Sequence, residues 1–527
     1  MQQPRRIFLL HGARLAGLGA ALGAAGTSVL AQTPRAQAYP FSLGVASGSP
    51  LPDSVILWTR ILTDPLNPRA NAPVAMAVRW EVAHDQAFTR IAARGSATAS
   101  PELAHSVHVD VKGLEPARWY WYRFMLGDAV SAAGRTRTAP APGAMPAMLK
   151  LAVASCQHWE FGAYAAHRHI AAANPDLVAF LGDYIYEWGP YQLRHPANAQ
   201  RVNESYTLAD YRARYAQYKS DPDLQAAHLA APWIVTWDDH EVANDYAHDR
   251  DELLSPGFAA RRAAAYQAFY EHMPLRLAPP RPGAFGDVRI YQRYDWGQLA
   301  RLHVLDDRQY RAVQVCAPQG RGGSSSVTRA CKALQDPARS MLGAQQEAWL
   351  AEGFATSRAR WNIVAQQTPM AQVSQLPLTT PGGGRYWNDG WDGYPAARTR
   401  LFDALQASKA ANPIILSGDV HTFYATDLRS DFNRPVSAHN PVVATEFCGT
   451  SVTSSSRPQA RTQQFVDMNP HIKYGRSDKR GFMLMEISPA STSTVFVGLD
   501  DVRDADSAAS ALATFRVENG RIGARRS

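Results

Sequence analysis

Long apolar runs are scarce in this chain. After residue 38 no stretch approaches the ~18 apolar residues that a membrane-spanning helix requires, so no transmembrane segment is expected in the mature protein. Cysteine is nearly absent, with four residues: Cys156, Cys316, Cys331 and Cys448. Cys316 and Cys331 flank a segment rich in glycine and serine, and an oxidising compartment permits a disulfide between them. Cys156 and Cys448 lie far apart in apolar or small-residue surroundings. Acidic residues are missing altogether from residues 1–38, which hold Arg5, Arg6, Arg14 and Arg35. The formal charge of +8 is therefore half local, because residues 39–527 carry 50 basic against 46 acidic side chains. An excess of +4 is too mild to argue for nucleic-acid binding, and no nucleic-acid partner is expected. No short-period repeat is present, which sets aside a solenoid.

What the chain does have begins at its start. Pro4-Arg5-Arg6-Ile7-Phe8-Leu9-Leu10 is a twin-arginine pattern. A weakly hydrophobic Ala/Gly/Leu segment follows from Leu15 to Leu30, then small-residue cleavage sites at Val29-Leu30-Ala31 and Ala36-Gln37-Ala38. Residues 1–38 read as a twin-arginine (Tat) export signal, and the apolar segment is too short and glycine-rich for an anchor. The expected partner is the Tat export machinery, and the expected location is periplasmic or secreted. That route carries folded proteins, which suits a cofactor inserted before export.

Beyond the signal the pattern changes twice. Residues 39–140 alternate short strands with turns, as in Ser54–Thr59, Ala75–Val82, Ser106–Val111 and the aromatic-rich Trp119–Phe124. Strands at that spacing predict a small β-sandwich with the aromatic stripes in its core. The segment Ala139–Met148, with Pro140, Pro142 and Pro146, reads as a linker. From residue 148 to about 510, apolar runs alternate with helical segments such as Tyr164–Ala173, Pro256–His272 and Gly343–Thr356, an α/β pattern. Residues 511–527 are expected to be a C-terminal tail.

The apolar runs share a peculiarity. Leu149–Ala154 ends at Ser155-Cys156, and Leu177–Leu181 ends at Gly182-Asp183. Ile234–Trp237 ends at Asp238-Asp239-His240-Glu241, Arg301–Leu305 at Asp306-Asp307-Arg308, Trp361–Ala365 at Gln366-Gln367, and Pro413–Leu416 at Ser417-Gly418-Asp419-Val420-His421. Ligands gather at the carboxyl ends of strands in layered α/β folds, so these clusters are expected to converge. The donors include hard carboxylates (Asp183, Asp239, Asp419), imidazoles (His240, His421), a phenol (Tyr186) and a thiol (Cys156). Bridging carboxylates can hold two cations close together, and such pairs clamp the attacking and leaving oxygens of a phosphate ester. Each motif by itself is more often structural than not. A buried inert thiol is the commoner fate of a lone cysteine.

In this order the motifs resemble the PhoD-type alkaline phosphatases, a branch of the metallophosphoesterases. The resemblance runs from about Tyr39 to near the C-terminus. Its marks are Phe41-Ser42-Leu43-Gly44-Val45-Ala46-Ser47-Gly48, Asp53–Arg60, Ala154-Ser155-Cys156-Gln157, Leu181–Glu187, Trp237–Asp245, Leu305–Arg311, Asp389–Pro395 and Ser417–His421. Ser49 departs from the family's usual aspartate, at a place remote from the expected ligands. The resemblance implies a four-layer αββα metallophosphatase domain behind a small all-β, Ig- or fibronectin-like sandwich. It implies Fe(3+) held by Cys156, Asp183 and Tyr186, with His421 as a further ligand. It also implies Ca(2+) bridged by Asp183, with Asp239, Asn244 and Asp419 as oxygen donors. Calcium takes oxygen ligands in flexible shells, and thiolate and phenolate suit a trivalent cation.

The reaction implied is hydrolysis of phosphate esters through a metal-activated water, with His240 at the leaving group or phosphate. Arg308 is expected either to clamp phosphate with Arg311 or to pair with Asp306 or Asp307. Asp238 is expected to orient ligands. Glu187 has no assigned role, and His471 is left outside the site. Two other readings stand beside this one. A phosphodiesterase would act on phospholipid or teichoic-acid-like substrates, decided by the loops at Ala317–Thr328 and Gln375–Gly384. A secreted, non-enzymatic binding module led by the sandwich would leave the polar strand ends unexplained.

Overall fold

The structure is a computed structural model that describes residues 38–527 apart from 66, 68–72, 189–203 and 282. The export signal therefore lies, except for Ala38, outside the described residues. Among the described residues no helix is long and apolar enough to cross a membrane.

Two large sheets face one another. In the ten-stranded sheet Leu149–Ala154, Leu177–Leu181 and Trp233–Thr236 run parallel at the centre. In the seven-stranded sheet Ala300–Val304, Trp361–Ala365, Pro413–Ser417 and Val442–Cys448 run parallel. Period-two alternation explains why the runs are apolar throughout. Leu177, Ala179 and Leu181 face the core between the sheets, whereas Val178 and Phe180 face an outer core. Helices Ala165–Ala173, Leu208–Lys219, Pro222–Ala230 and Phe258–His272 cover that outer face. Helices Gly343–Ala355 and Pro395–Ser408 cover the other sheet, packing on Val364 and Ile415. The result is the expected α/β/β/α stack, with central parallel strands such as Leu177–Leu181 and Pro413–Ser417 buried on both faces.

Two boundaries differ from the sequence reading. The sandwich strands Val45–Leu51, Ser54–Arg60 and Ser106–Lys112 are an extension of the ten-stranded sheet, joined where Gly48 pairs in parallel with Trp233. The second layer of the sandwich is built by Met76–Ala83, Ile91–Ala99 and Trp119–Leu126. Residues 511–527 are not a tail. Ala509–Glu518 and Arg521–Arg526 are the last two strands at the opposite edge, where Phe515 and Val517 enter the central core. Their alternation is diluted by Arg516, Arg521 and Arg525 on the outward side and by Arg526 at the strand end, which conceals it in the sequence. Cys316 and Cys331 form the anticipated disulfide, and Cys156 and Cys448 are free and buried.

Lys219 ends its helix beneath the sandwich, with Nζ 4.2 Å from the Trp58 ring and 5.2 Å from that of Tyr184. It has no hydrogen-bond partner among the described residues, and burial pushes its pKa down to about 7. The unfolded chain therefore binds the extra proton between about pH 7 and the ordinary lysine range, and stability rises with pH across that window. Lys219→Met, which keeps the stem and removes the charge, is expected to stabilise the protein by about 1–3 kcal/mol near pH 6 and less at pH 9. Urea midpoints at the two pH values measure this; an equal change at both would contradict it.

Candidate metal centre

All the parallel strands end at the same edge of the stack. One sheet releases Cys156, Asp183 and Asp238–His240 there, and the other releases Asp306–Arg308, Gln367 and Asp419–His421. Cys156, Asp183, Asp419 and His421 have φ of 59°, 56°, 63° and 53°. Left-handed backbone at a non-glycine residue costs about 1–3 kcal/mol, and four such residues on one edge mark a site held in shape by its surroundings. Gly182 has φ +103°, and a Cβ there would fall 2.5 Å from Asp238 Cβ. Its glycine makes room for the neighbouring strand's Asp238, a requirement invisible in its own turn.

The donor atoms assemble in three overlapping groups: Cys156, Asp183 and His421; Asp183, Asp239 and His240; and Asp238, Asp239 and Asp419. Within each group the candidate ligand atoms lie within 4.8 Å of one another. Tyr186 joins the first group, its hydroxyl donating to Asp183 Oδ2 at 2.8 Å and lying 3.2 Å from His421 Nε2. Ser454 Oγ donates to the same phenol oxygen at 2.7 Å. His421 Nδ1 donates to the Ser455 carbonyl at 2.6 Å, which leaves Nε2 with its lone pair toward the group. Asp183 is thus shared between two groups, and Tyr184, its neighbour, instead packs in the outer core.

Within the three donor groups four oxygens are buried without a hydrogen-bond partner among the described residues: Asp183 Oδ1, Asp238 Oδ2, Asp239 Oδ1 and Asp419 Oδ2. Burial, reinforced by neighbouring carboxylates, drives Asp183 and Asp419 well above the ordinary carboxylate range and Asp238 to about 6. At Asp239 burial is outweighed by Arg308 and His240, which hold it below that range. Burial, and Asp183 beside them, also raise the Cys156 thiol and the Tyr186 phenol. So many buried anionic groups are a poor end state without cations, and the mixture of thiol, phenol, imidazole and carboxylate fits metal ions of differing softness.

Arg308 holds a different place from the one expected. It is wholly buried, with Nε donating to Asp238 at 2.5 Å and Nη1 to Asp389 at 2.7 Å. Nη2 stands 3.7 Å from Asp239 and 3.8 Å from Asp419. Arg308 is not among the residues that line the cavity, and Nε and Nη1 are taken up by Asp238 and Asp389. Neither Asp306 nor Asp307 is its ion-pair partner; Asp306 accepts only its backbone N–H. Arg311 likewise donates to Asp389 and to the Asp307 carbonyl. His471 is bonded to the Gln372 carbonyl away from the donor groups, and Met483 and Met485 are core.

Three acids missed in the sequence organise the rest. Glu241 accepts from the backbone N–H groups of Asp183, Tyr184 and Asp238 at 3.0, 2.6 and 2.8 Å, tying two strand-end loops together. Glu187 Oε2 accepts from His240 Nδ1 at 2.8 Å, and Oε1 accepts from the Asn244 backbone at 2.7 Å. Asp389 receives both arginines. Each lies inside a quoted motif, but an acid's partners come from other strands. Burial opposes protonation of His240, yet Asp239, Glu187 and Asp183 outweigh it and hold the imidazole protonated well above its ordinary range.

Asp183, Asp239, His240, Asn244, Asp419 and His421 line one cavity of about 590 Å³. The Asn244 side-chain amide donates to Glu252 at 3.2 Å. The wall of the cavity also includes Gln375, Trp387, Arg457 and Phe465. The loop after Cys316 reaches that wall indirectly, because Ser326–Val327 pairs with Tyr386–Trp387.

Comparison with known proteins gives a consistent answer. Residues 151–496 match the family model described as PhoD-like phosphatase, and residues 26–140 match that of the PhoD-like phosphatase N-terminal domain. The chain is 41% identical over 533 residues to alkaline phosphatase D of Bacillus subtilis (strain 168), covering 99% of this chain and 89% of that one. A solved structure of PhoD is similar with a TM-score of 0.86 at 41% identity, over 94% of this chain and 93% of that one. The purple acid phosphatase PPD1 from yellow lupin (Lupinus luteus) seeds shares the fold with a TM-score of 0.56 at 11% identity, over 90% and 74%.

Proposed function

The chain belongs to the PhoD-like phosphatase family, and from that premise we propose that it hydrolyses phosphate esters at a mixed iron and calcium site. It is an alkaline phosphatase, a metallophosphatase in fold, and its substrate is a phosphate ester. That membership removes the reading of a binding module without activity.

In our reading Cys156, Asp183, Tyr186 and His421 hold Fe(3+), and Asp183, Asp239, Asn244 and Asp419 hold Ca(2+), with Asp183 common to both. The observation that carries this is the set of four buried, unpartnered carboxylate oxygens between the two sheets. When bound, such cations supply positive charge for phosphate oxygens and lower the pKa of water. The chain's own part is to hold the donors rigid. Glu241 fastens the Asp183 and Asp238 loops, Arg308 spaces Asp238, Asp239 and Asp419, and Ser455 fixes the His421 tautomer. His240 lines the cavity with Nδ1 anchored by Glu187, so the proton on Nε2 is the one available to a departing alkoxide. No serine nucleophile is required.

Export by the twin-arginine route belongs to the same proposal. The Cys316–Cys331 disulfide supports it, because such bonds persist in oxidising compartments. A diester substrate is a second reading, favoured by a cavity far roomier than a phosphate group needs. Metal-replete protein is expected to hydrolyse p-nitrophenyl phosphate, and a calcium chelator is expected to reduce the rate at least a hundredfold, restored by added calcium. Elemental analysis of the active enzyme is expected to find iron and calcium. Zinc in place of iron, or chelator-resistant turnover, would undo the assignment; bis-p-nitrophenyl phosphate tests the diester reading alongside.

A further inference from the structure

One cavity is lined by two chemically opposite sets of side chains. One is the carboxylate-rich metal centre. The other is Arg457 and Arg461, which precede and open the helix Gln459–Met468. Both guanidinium groups sit over the same ring: Cζ of Arg457 is 5.2 Å and Cζ of Arg461 is 4.5 Å from the Phe465 centroid. Arg461 also donates to Gln464 Oε1 at 2.8 Å and to the Gln375 carbonyl at 3.3 Å. Neither arginine has a carboxylate partner among the described residues. Asp392, another acid of the lining, is spent on Arg398 and on the Val373 N–H, each at 2.8 Å. Phe465 is thus a platform that holds two uncompensated cations at the cavity wall, and Val373, Trp387 and Tyr424 add apolar lining to the same cavity.

We propose that Arg457 and Arg461 form an anion subsite that selects phosphate esters whose leaving group carries a second anionic group, a carboxylate or phosphate, across a short apolar spacer. The inference rests on the phosphatase reading, which puts the reacting phosphate at the carboxylate-rich centre. The size of the cavity suits a ligand that meets both sets of side chains. A guanidinium pair on an aromatic face is rigid, so little side-chain freedom is lost when it binds an oxyanion bidentately. The metals meet the first anion and the arginines meet the second, so each end of the substrate finds charge of the opposite sign.

Non-hydrolysable phosphonates separate this from catalysis. With metal-replete protein, calorimetry is expected to give a Kd for 4-carboxyphenylphosphonate about tenfold below that for phenylphosphonate. The preference is expected to shrink in 1 M salt. R457Q/R461Q is expected to bring the ratio to within twofold of one, whereas R457K/R461K, which keeps the charge, retains part of it. A ratio near one in the unaltered protein, or a tenfold ratio that survives in R457Q/R461Q, would overturn the subsite. Hydrolysis of phenyl phosphate is scored separately: its absence alongside an intact phosphonate preference would sink the phosphatase reading and leave the subsite standing.

Discussion

Asp183→Asn is expected to reduce hydrolysis of p-nitrophenyl phosphate by at least a thousandfold while leaving the fold intact. The carboxylate is shared by two donor groups, and an amide cannot bridge two cations. The stability effect has the opposite sign from most core substitutions. Burial raises the pKa of Asp183 well above its ordinary value in the metal-free protein. A carboxyl with a raised folded pKa costs stability from its unfolded pKa upward, so near neutral pH its burial destabilises the empty fold. Asparagine removes that cost. The metal-free variant should therefore melt at or above the temperature of the metal-free parent, while the stabilisation gained on adding iron and calcium should largely vanish. Thermal scans of both proteins, with and without metals, measure this together with activity. An active variant, or one that gains as much stability from metals as the parent, would refute the bridging role.

Arg308→Met is expected to destabilise the protein by about 3–5 kcal/mol, the usual result of removing one partner from a buried ionic cluster. The reason lies in what remains. Asp238, Asp239, Asp389 and Asp419 all lie within 4.0 Å of that one guanidinium, and nothing else so central offsets their charge. Burial alone would depress the Arg308 pKa, but those carboxylates outweigh it and keep the side chain cationic. Two accompanying results distinguish this from lost packing. Added calcium should recover part of the loss, because cations at the same carboxylates replace some of the missing charge. Asp389→Asn in the Arg308→Met background should cost less than Asp389→Asn alone, since its main partner is already gone. Urea unfolding of the four proteins closes the cycle; strictly additive losses would show that Arg308 acts through packing.

Much of the fold could be read in the sequence because it depends on local periodicity. Runs such as Leu177–Leu181 are apolar at every position, and only a strand buried on both faces demands that. Helix limits came close for the same reason: Tyr164–Ala173 is observed as Ala165–Ala173, and Gly343–Thr356 as Gly343–Ala355. The last two strands escaped notice because one face is outward and rich in arginine. The join between Gly48 and Trp233 escaped because a parallel pairing between distant segments leaves no mark in either.

The site divides along the same line. The candidate donors at Cys156, Asp183, Tyr186, Asp239, Asp419 and His421 could be picked out from the sequence alone, since each closes an apolar run or lies in the turn just after one. Their company was decided only in three dimensions. Arg308 sits in a motif that resembles a phosphate clamp, yet the packing of the two sheets turns it inward onto four carboxylates. Glu187 has no local signal beyond being an acid after two tyrosines, and it becomes the anchor of His240 only when the loop after Asp239 folds against it. Side-chain type and strand period are properties of neighbouring residues. The partner of a buried charge is a property of whichever strands end beside it, and that is set by the folded sheets.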